Sequence, residues 1–277
     1  MNGIIRRFKN KILIIVGKLL PNSLAIFSYQ KIFDYKYISN SWLGKIFLIL
    51  IARKGIKKSI LREIDIEGNM VNLNILDYAN LTKILHLADD PLPPILRTGG
   101  DVFIDIGCHI GFYTLLSSPY FHNIFSIDAS PLRTKICKEN INKIGYAQKI
   151  KVFNTALGSY DCPKNITLYE NPYNSGGSFT SEKNSLRNDW NKENVKCKNL
   201  DELLFEHLSK IKNINRMIIK IDVEGYELKV LSGAKKIINK YLPILLIEGR
   251  PSKIFQKNLY FLIPKNYKIM DASQFLF

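Results

Sequence analysis

The stretch DVFIDIGCHIGFYTLL (residues 101–116) places an acid and two glycines between an apolar, strand-like run and a helix-like pattern. Asp105 comes near the end of the apolar run, and Gly107 and Gly111 follow it. In an open α/β sheet, ligands bind beyond the carboxyl ends of the strands, where glycines allow a tight turn and a close approach to the ligand. The spacing therefore predicts a ligand-binding loop at the tip of a strand.

The spacing also limits the kind of ligand. D-x-G-x-x-x-G differs from the G-x-G-x-x-G of a dinucleotide site, and the loop lacks the G-K-[ST] of a P-loop. An adenosine with an amino-acid tail and no pyrophosphate would suit it. Asp128 ends the next apolar run, 23 residues after Asp105, where an acid can accept both hydroxyls of a ribose. Each acid could instead cap a turn or a helix, but on consecutive strands they favour a nucleoside site.

More acids follow two later apolar runs. Asp222 and Glu224 come at the end of the fourth run, and Glu248 ends the fifth. A carboxylate within ~3 Å of an acceptor hydroxyl can act as a general base, so these three are the candidate catalytic residues. The alternative for Asp222 is an ion pair with Lys220 that braces the strand end. His109 could be a base, but a loop residue that packs over the ligand is the simpler interpretation.

The four cysteines are scattered, and no pair has C-x-x-C spacing. We therefore predict no metal site and a reducing compartment. Cys108, between the two glycines of the loop, is interpreted as a small packed residue. The glycines of NSGGSF (residues 174–179) permit close approach of a ligand, so this segment is either a flexible hairpin tip or part of the acceptor site.

The elements that must position these residues alternate along the chain. Short, nearly all-apolar strands that alternate with helices predict an α/β fold with a doubly wound, mostly parallel sheet covered on both faces. An antiparallel excursion is predicted between the third and fourth strands, with strand-like pieces at 166–169 and 195–198. The strands are predicted at 101–106, 123–128, 149–157, 217–223 and 243–249, and the principal helices at 131–144 and 226–240.

Composition divides the 277 residues into three parts. Residues 1–62 are predicted to be a basic, amphipathic, mainly helical extension. Residues 63–99 hold a hairpin, which alternation over 60–75 predicts to turn at 67–69, and a turn-rich linker. Residues 100–277 form the ligand-binding domain, and the length suits one such domain with an extension.

Charge is concentrated in the extension. Residues 1–62 hold thirteen Lys or Arg and one acid, whereas the other 215 residues carry 27 basic and 23 acidic residues, so the formal charge of +16 divides into +12 and +4. A nearly balanced domain disfavours nucleic-acid binding. The apolar runs of the extension are too short for a spanning helix and poor for a signal peptide. Residues 1–60 are therefore either a helical cap or a peripheral contact with an anionic membrane, and we expect a cytoplasmic protein, on the inner face of the membrane in the second case.

Six segments occur in the order DVFIDIGCHIGFYTLL, FSIDASP, NTALGS, ITLY…GGSF, LDELL and IIKIDVEGYELKVLSGA. Together they resemble the FkbM-type S-adenosylmethionine-dependent methyltransferases, a branch of the class I methyltransferases with a Rossmann-like sheet. The resemblance covers about residues 100–250. It implies a seven-stranded sheet whose last strand is antiparallel, although NYKIMDASQFLF leaves room for a sixth strand and little of a seventh.

The resemblance implies S-adenosylmethionine as the cofactor, with ribose contact by Asp128 and an adenine edge near Ala156 and Leu157. The chain departs from the family at Cys108-His109, where Ala-Asn is common, and at residues 128–130, where Glu-Pro-Asn is common. An aspartate can still bind a ribose, but it must lie closer. The implied cofactor-binding residues are Asp105, Gly107, Cys108, His109, Gly111, Thr114, Asp128, Ala129, Ala156, Leu157 and Asp222.

The function implied by the resemblance is O-methylation of a sugar or other hydroxyl in a glycan, glycolipid or natural product. A nucleic-acid methyltransferase is the alternative among enzymes, but no N-P-P-Y-type tetrapeptide follows the fourth strand and no nucleic-acid partner is expected. A non-catalytic module that holds a nucleoside is the alternative outside enzymes. Degraded strand-tip acids would favour it, whereas here the acids are present.

Overall fold

The structure is a computed structural model that describes residues 61–66, 69–74, 92–171, 177–181, 190–249 and 253–270. These residues belong to two compact units. In the smaller unit the described residues are 61–63, 72–74, 171 and 177, and all the others belong to the larger unit. The predicted basic extension lies outside the described residues, apart from residues 61 and 62.

The elements, in chain order, are β1 (Leu61–Ile66), β2 (Asn69–Asn74), α1 (Leu92–Leu96), β3 (Gly100–Ile106), α2 (Phe112–Ser117), β4 (Phe121–Asp128), α3 (Pro131–Ile141), a 3₁₀ turn (Ala147–Lys149), β5 (Ile150–Asn154), β6 (Ala156–Leu157), β7 (Asn165–Glu170), β8 (Phe179–Ser181), β9 (Asn191–Lys198), α4 (Leu200–Ser209), β10 (Met217–Ile221), α5 (Glu227–Ser232), α6 (Lys235–Tyr241), β11 (Ile244–Ile247) and α7 (Lys253–Leu262).

Five parallel strands form the central sheet, in the order β11–β10–β3–β4–β5. The α/β class with a mostly parallel sheet is thereby confirmed. The prediction of seven strands, the last antiparallel, is not confirmed, because the described residues supply five strands to this sheet and residues 271–277 lie outside them. The carboxyl ends of β3, β4 and β10 therefore meet at one edge, where the predicted loop and acids must lie.

Helices cover both faces of the sheet, which explains why its strands are almost entirely apolar. Helices α2 and α3 contact β3, β4 and β5. Helices α4, α5, α6 and α7 join β3, β4 and β10 in the largest apolar core. Ser130 caps α3, because its Oγ accepts the backbone N–H of Arg133 at 3.3 Å. No helix within the described ranges is long and apolar enough to cross a membrane.

A second sheet has the order β6–β9–β7–β8, and β7 is antiparallel to both β8 and β9. This is the predicted excursion. The strand predicted at 149–157 is divided between the two sheets, because β5 ends at Asn154 and β6 pairs with β9. Thr155 marks the change: its N–H donates to the Asp128 carbonyl at 3.0 Å, and its hydroxyl donates to the Lys196 carbonyl at 3.0 Å.

The hairpin prediction is consistent with β1 and β2, which form a two-stranded sheet. Within the segment predicted to be a turn-rich linker, residues 92–96 form a short helix, α1. Pro93 and Pro94 lie in the first turn of this helix, where a backbone N–H has no intrahelical acceptor in any case. Prolines that indicate a break can therefore also begin a helix.

The helix predicted at 226–240 is in fact two helices, α5 and α6, with a break at Gly233. A Cβ at Gly233 would lie 2.1 Å from the carbonyl oxygen of Gly158, so the chain passes this position without a side chain. The carboxylate of Asp201 accepts the N–H groups of Lys236 at 2.8 Å and Ile237 at 2.9 Å. It thereby starts a new helix by satisfying donors that a first turn leaves free.

Candidate functional site

The loop predicted to bind a ligand leaves the tip of β3 in a tight, partly left-handed conformation. Gly107, His109 and Gly111 all have positive φ angles, of 73°, 55° and 91°. The N–H groups of Gly107 and Cys108 donate to the Ile127 carbonyl at 2.9 and 3.1 Å, which holds the loop beside the end of β4. A left-handed residue other than glycine is uncommon, so His109 is a strained position in this loop.

The neighbouring strand tip makes glycine necessary at position 107. The Asp222 N–H donates to the Ile106 carbonyl at 3.1 Å, and a Cβ on Gly107 would lie 1.8 Å from the Asp222 carbonyl oxygen. At Gly111 a Cβ would lie 2.8 Å from the Cys137 sulfur of α3. Both predicted glycines are thus required by close backbone and helix contacts within the fold.

Asp128 lies at the tip of β4 with its carboxylate held in place by the backbone. Oδ2 accepts the His109 N–H at 2.8 Å, and Oδ1 accepts the Ser130 N–H at 2.9 Å. The residue is 8% exposed, and burial raises the pKa of its carboxyl above the ordinary value, against the charge of Arg133 and the two N–H groups. Because each oxygen has a second lone pair, the anchored carboxylate can still accept hydrogen bonds from a ligand.

A row of polar side chains crosses the centre of the sheet below these tips. Ser126, Asp105 and Lys220 occupy paired positions on β4, β3 and β10. Thr114 of α2 donates to Asp105 Oδ2 at 2.7 Å and lies 2.8 Å from the Ser126 hydroxyl. The Lys220 ammonium lies 3.4 Å from Asp105 Oδ1, 3.3 Å from Asp222 Oδ2 and 3.3 Å from the Gly107 carbonyl.

Lys220 is enclosed together with Asp105, whereas its second partner, Asp222, is partly exposed. Lys220 is 3% exposed and Asp105 is not exposed at all. Burial lowers the pKa of the ammonium, but the charges of Asp222 and Asp105 together outweigh it and hold the pKa above its ordinary value. The Lys220–Asp222 ion pair, the alternative considered for Asp222, is therefore present. Because Asp105 has no exposed surface, it can influence a ligand only indirectly, by orienting Lys220 and the loop.

Three carboxylates converge at the tips of β10 and β11. Asp222, Glu224 and Glu248 each present an oxygen within 4.8 Å of the others, and the last two side chains are exposed. Glu224 has a φ of 52°, in a turn that the Glu227 carboxylate holds by accepting the Gly225 N–H at 2.9 Å. All three predicted catalytic acids are thus brought together. Carboxylates at this spacing could also hold a divalent cation. The prediction of no metal site used cysteine spacing, which carries no information about carboxylate sites.

The other predicted residues lie around this edge. Ala156 and Leu157 are buried in β6, and Ala129 is partly exposed next to Asp128. A hydrogen bond with Cys137 and burial raise the pKa of the Cys108 thiol well above its ordinary value, so Cys108 is a poor nucleophile. Of the predicted acceptor segment 174–179, residues 174–176 lie outside the described ranges. Arg133 was not among the predicted site residues, although its charge is the largest influence that lowers the Asp128 pKa.

Comparison with solved structures finds distant similarities. Methyltransferase FkbM from Methylobacillus flagellatus KT is 17% identical over 82% of this chain and 56% of its own, with a TM-score of 0.41. An S-adenosylmethionine-dependent methyltransferase from Agrobacterium tumefaciens is 11% identical over 74% of this chain and 58% of its own, with a TM-score of 0.39. The chain thus spans less than two thirds of the length of either protein.

Comparison with curated protein sequences finds no match. The match that carries the assignment is with the methyltransferase FkbM domain, which covers residues 105–271, more than half of the chain. It begins at the acid before the glycine loop and includes every predicted site residue. This confirms the resemblance inferred from the six segments. The chain belongs to the methyltransferase FkbM domain family.

Proposed function

We propose that this chain binds S-adenosylmethionine at the tips of β3, β4 and β10 and transfers its methyl group to a hydroxyl. The observation that carries the proposal is the anchored carboxylate of Asp128 beside the Gly107–Gly111 loop. An acid at the second strand tip, next to a glycine turn, has the donor and acceptor chemistry that a nucleoside requires. The residues present therefore fit the cofactor that the family name implies.

Each predicted cofactor residue receives a role in this proposal. Asp128 would accept the ribose hydroxyls, with Ala129 and the buried Ala156–Leu157 pair near the adenine. Residues 107–111 would face the amino-acid tail, and the partly exposed Asp222 is the acid next to that loop. Asp105 and Thr114 act indirectly, because they are enclosed and orient Lys220.

The acid cluster of Asp222, Glu224 and Glu248 would serve the acceptor. The bound cofactor supplies an electrophilic methyl group, and the protein orients the acceptor and removes its proton. A carboxylate within hydrogen-bond reach of an acceptor hydroxyl does this as a general base. A hydroxyl of a sugar, in a glycan or glycolipid, or of a natural product fits such an acidic, partly exposed edge. The chain beyond the extension is not strongly basic in composition, since residues 63–277 hold 27 basic and 23 acidic residues.

The basic N-terminal segment, residues 1–60, bears on where in the cell the enzyme acts. The twelve basic residues of this segment and the apolar residues between them support contact of residues 1–60 with an anionic membrane surface. Such contact would hold the enzyme on the inner face of the membrane in the cytoplasm, near a glycolipid acceptor. The division into an extension (1–62), a hairpin and linker (63–99) and a cofactor-binding domain (100–277) belongs to the same proposal.

Binding of the cofactor is tested with Asp128→Asn. We expect the wild-type chain to bind S-adenosylhomocysteine in isothermal titration, and the variant to bind about 10- to 100-fold more weakly, because a hydrogen bond to a charged acceptor is lost. Asp161→Asn is the matched control, since Asp161 is an exposed aspartate. Equal effects of the two substitutions would remove Asp128 from the site, and absence of binding by the wild type would refute the cofactor itself.

Methyl transfer is tested with Asp222→Asn, Glu224→Gln and Glu248→Gln. The base is the residue whose substitution lowers methylation by about 100-fold while S-adenosylhomocysteine binding persists. Mass spectrometry of glycans and glycolipids from cells that express each variant would detect the increment of about 14 Da per methyl group. Glu193→Gln, at an exposed glutamate of β9, is the control. If the wild type binds the cofactor but none of the three variants changes the products, the acid cluster is not the base.

A further inference from the structure

A small polar junction joins the start of α3 to the β7–β8 strand pair. The Ser130 hydroxyl donates to Glu170 Oε1 at 2.5 Å, and Arg133 Nη2 donates to the Ser178 hydroxyl at 2.5 Å. The same Nη2 lies 4.0 Å from Glu170 Oε1. Glu170 is the last residue of β7 and Ser178 immediately precedes β8. One guanidinium therefore reaches both strands at the same end of the pair.

The junction is largely shielded from water. The side chains of Arg133 and Glu170 are 11% and 16% exposed, and Ser130 and Ser178 are buried. Burying a charge is unfavourable unless it is paired and hydrogen-bonded. Arginine suits such a buried ion pair better than lysine, because a guanidinium is more weakly hydrated than an ammonium. Both contacts come from the same nitrogen, Nη2.

Ser130 connects the junction directly to Asp128. The Ser130 N–H donates to Asp128 Oδ1 at 2.9 Å, and the Ser130 hydroxyl donates to Glu170. The charged and titratable groups that act on Asp128 are Arg133 from α3, Lys220 from β10 and the Cys108 thiol from the loop. Glu170 of β7 is connected to the same acid by hydrogen bonds through Ser130, and it is paired with Arg133. Among the groups that favour the carboxylate, Arg133 has the largest effect.

We propose that Arg133 is a positioning residue for the nucleoside site: it holds Glu170 and Ser178 of the β7–β8 pair against the start of α3, where Ser130 anchors Asp128, and its guanidinium charge favours the ionised carboxylate. The proposal rests on the cofactor site proposed above and adds a residue to it. A ribose binds best to an ionised carboxylate, because hydrogen bonds to a charged acceptor are stronger than those to a neutral one. Burial opposes that ionisation by raising the Asp128 pKa, and Arg133 offsets it.

The first experiment measures S-adenosylhomocysteine affinity from pH 5 to pH 8 by isothermal titration. Arg133→Met removes the charge and keeps the length of the side chain, so the pH at which affinity falls should move upward by about one unit. Arg133→Lys should leave that pH near the wild-type value, because it retains the charge. Ser178→Ala removes the hydroxyl that Arg133 contacts and keeps the Arg133 charge, so it should leave the profile unmoved. If the affinity of Arg133→Met falls at the same pH as that of the wild type, the proposal is overturned.

The second experiment needs no cofactor. Because Asp128 has a raised pKa in the folded chain, its ionisation reduces stability as the pH rises above the unfolded value of about 3.9. Without Arg133 this loss should be larger, so Arg133→Met should lower Tm by at least ~3 °C more at pH 7 than at pH 4.5. In the Asp128→Asn background the difference between the two pH values should disappear, which also separates Asp128 from Glu170.

The two experiments fail independently. If the wild type does not bind S-adenosylhomocysteine but the stability cycle behaves as expected, the cofactor site is wrong and the Arg133–Asp128 coupling stands. If the cofactor binds but the Tm difference persists unchanged in the Asp128→Asn background, Arg133 serves only the packing of β7 and β8. That second result would overturn the proposed role.

Discussion

Gly107→Ala is expected to remove most of the stability of the domain. The new Cβ would lie 1.8 Å from the carbonyl oxygen of Asp222, and the φ of 73° is itself unfavourable for alanine. The neighbour is backbone within the central sheet, so it cannot rotate away, and the tips of β3 and β10 would have to separate. We expect a loss of at least about 4 kcal/mol, comparable to the net stability of many domains. Urea unfolding followed by circular dichroism measures it.

Gly145→Ala is the matched control for this substitution. A Cβ at Gly145 would meet no atom within 4 Å, and its φ is not in the left-handed region. The change should alter the free energy of unfolding by less than about 1 kcal/mol. The direction is stabilising if the dominant effect is that alanine lowers the conformational entropy of the unfolded chain. Comparable destabilisation by both alanines would mean that the contact with Asp222 does not decide the result.

Lys220→Met is expected to destabilise the domain by about 3–5 kcal/mol, because it leaves the enclosed Asp105 without a cation. Methionine has nearly the same length, so the loss reports mainly on charge. Lys135→Met, at an exposed lysine of α3, is the control and should be nearly neutral. Thermal unfolding of both variants at several pH values gives the comparison.

The pH dependence of the Lys220 variant has a definite sign. In the wild type the Lys220 pKa is raised, so its contribution is fully present below the unfolded value of about 10.4 and is lost only as the pH rises through the folded pKa. The variant has no ammonium at this position, so its stability lacks this dependence. The difference from the wild type should therefore stay nearly constant between about pH 6 and pH 9 and shrink as the pH rises above about 10.4. A difference that persists undiminished above that pH would contradict the ion-pair explanation.

The parts of the fold that follow from local pattern could be predicted from the sequence. A parallel strand buried on both faces must be nearly all apolar, so β3, β4, β10 and β11 were recognisable, and acids at their ends were conspicuous. Parallel strands bring those ends to one edge. Asp128, Asp222, Glu224 and Glu248 were therefore assigned to one site without knowledge of any contact.

Features that depend on distant contacts could not be predicted in this way. The helix over 226–240 has continuous periodicity, and it is interrupted by the Gly158 carbonyl and the Asp201 carboxylate, which are remote in sequence. The role of Gly107 was attributed to a ligand, whereas the close contact is with Asp222. The role of Arg133 could not be predicted, because an arginine in the first turn of a helix is common. Its contacts with Glu170 and Ser178, which are remote in sequence, are visible only in the fold.

The polar row of Ser126, Asp105 and Lys220 also bears on how the chain avoids misfolding. A slip of β10 by one residue against β3 would turn Lys220 to the opposite face of the sheet. Asp105 would then be buried without a cation, and an apolar residue would take the place of the ammonium. Apolar strands alone discriminate weakly between neighbouring alignments, since one Ile or Val replaces another. The buried charges make the native alignment of β10, β3 and β4 the one arrangement in which every member of the row has its partner.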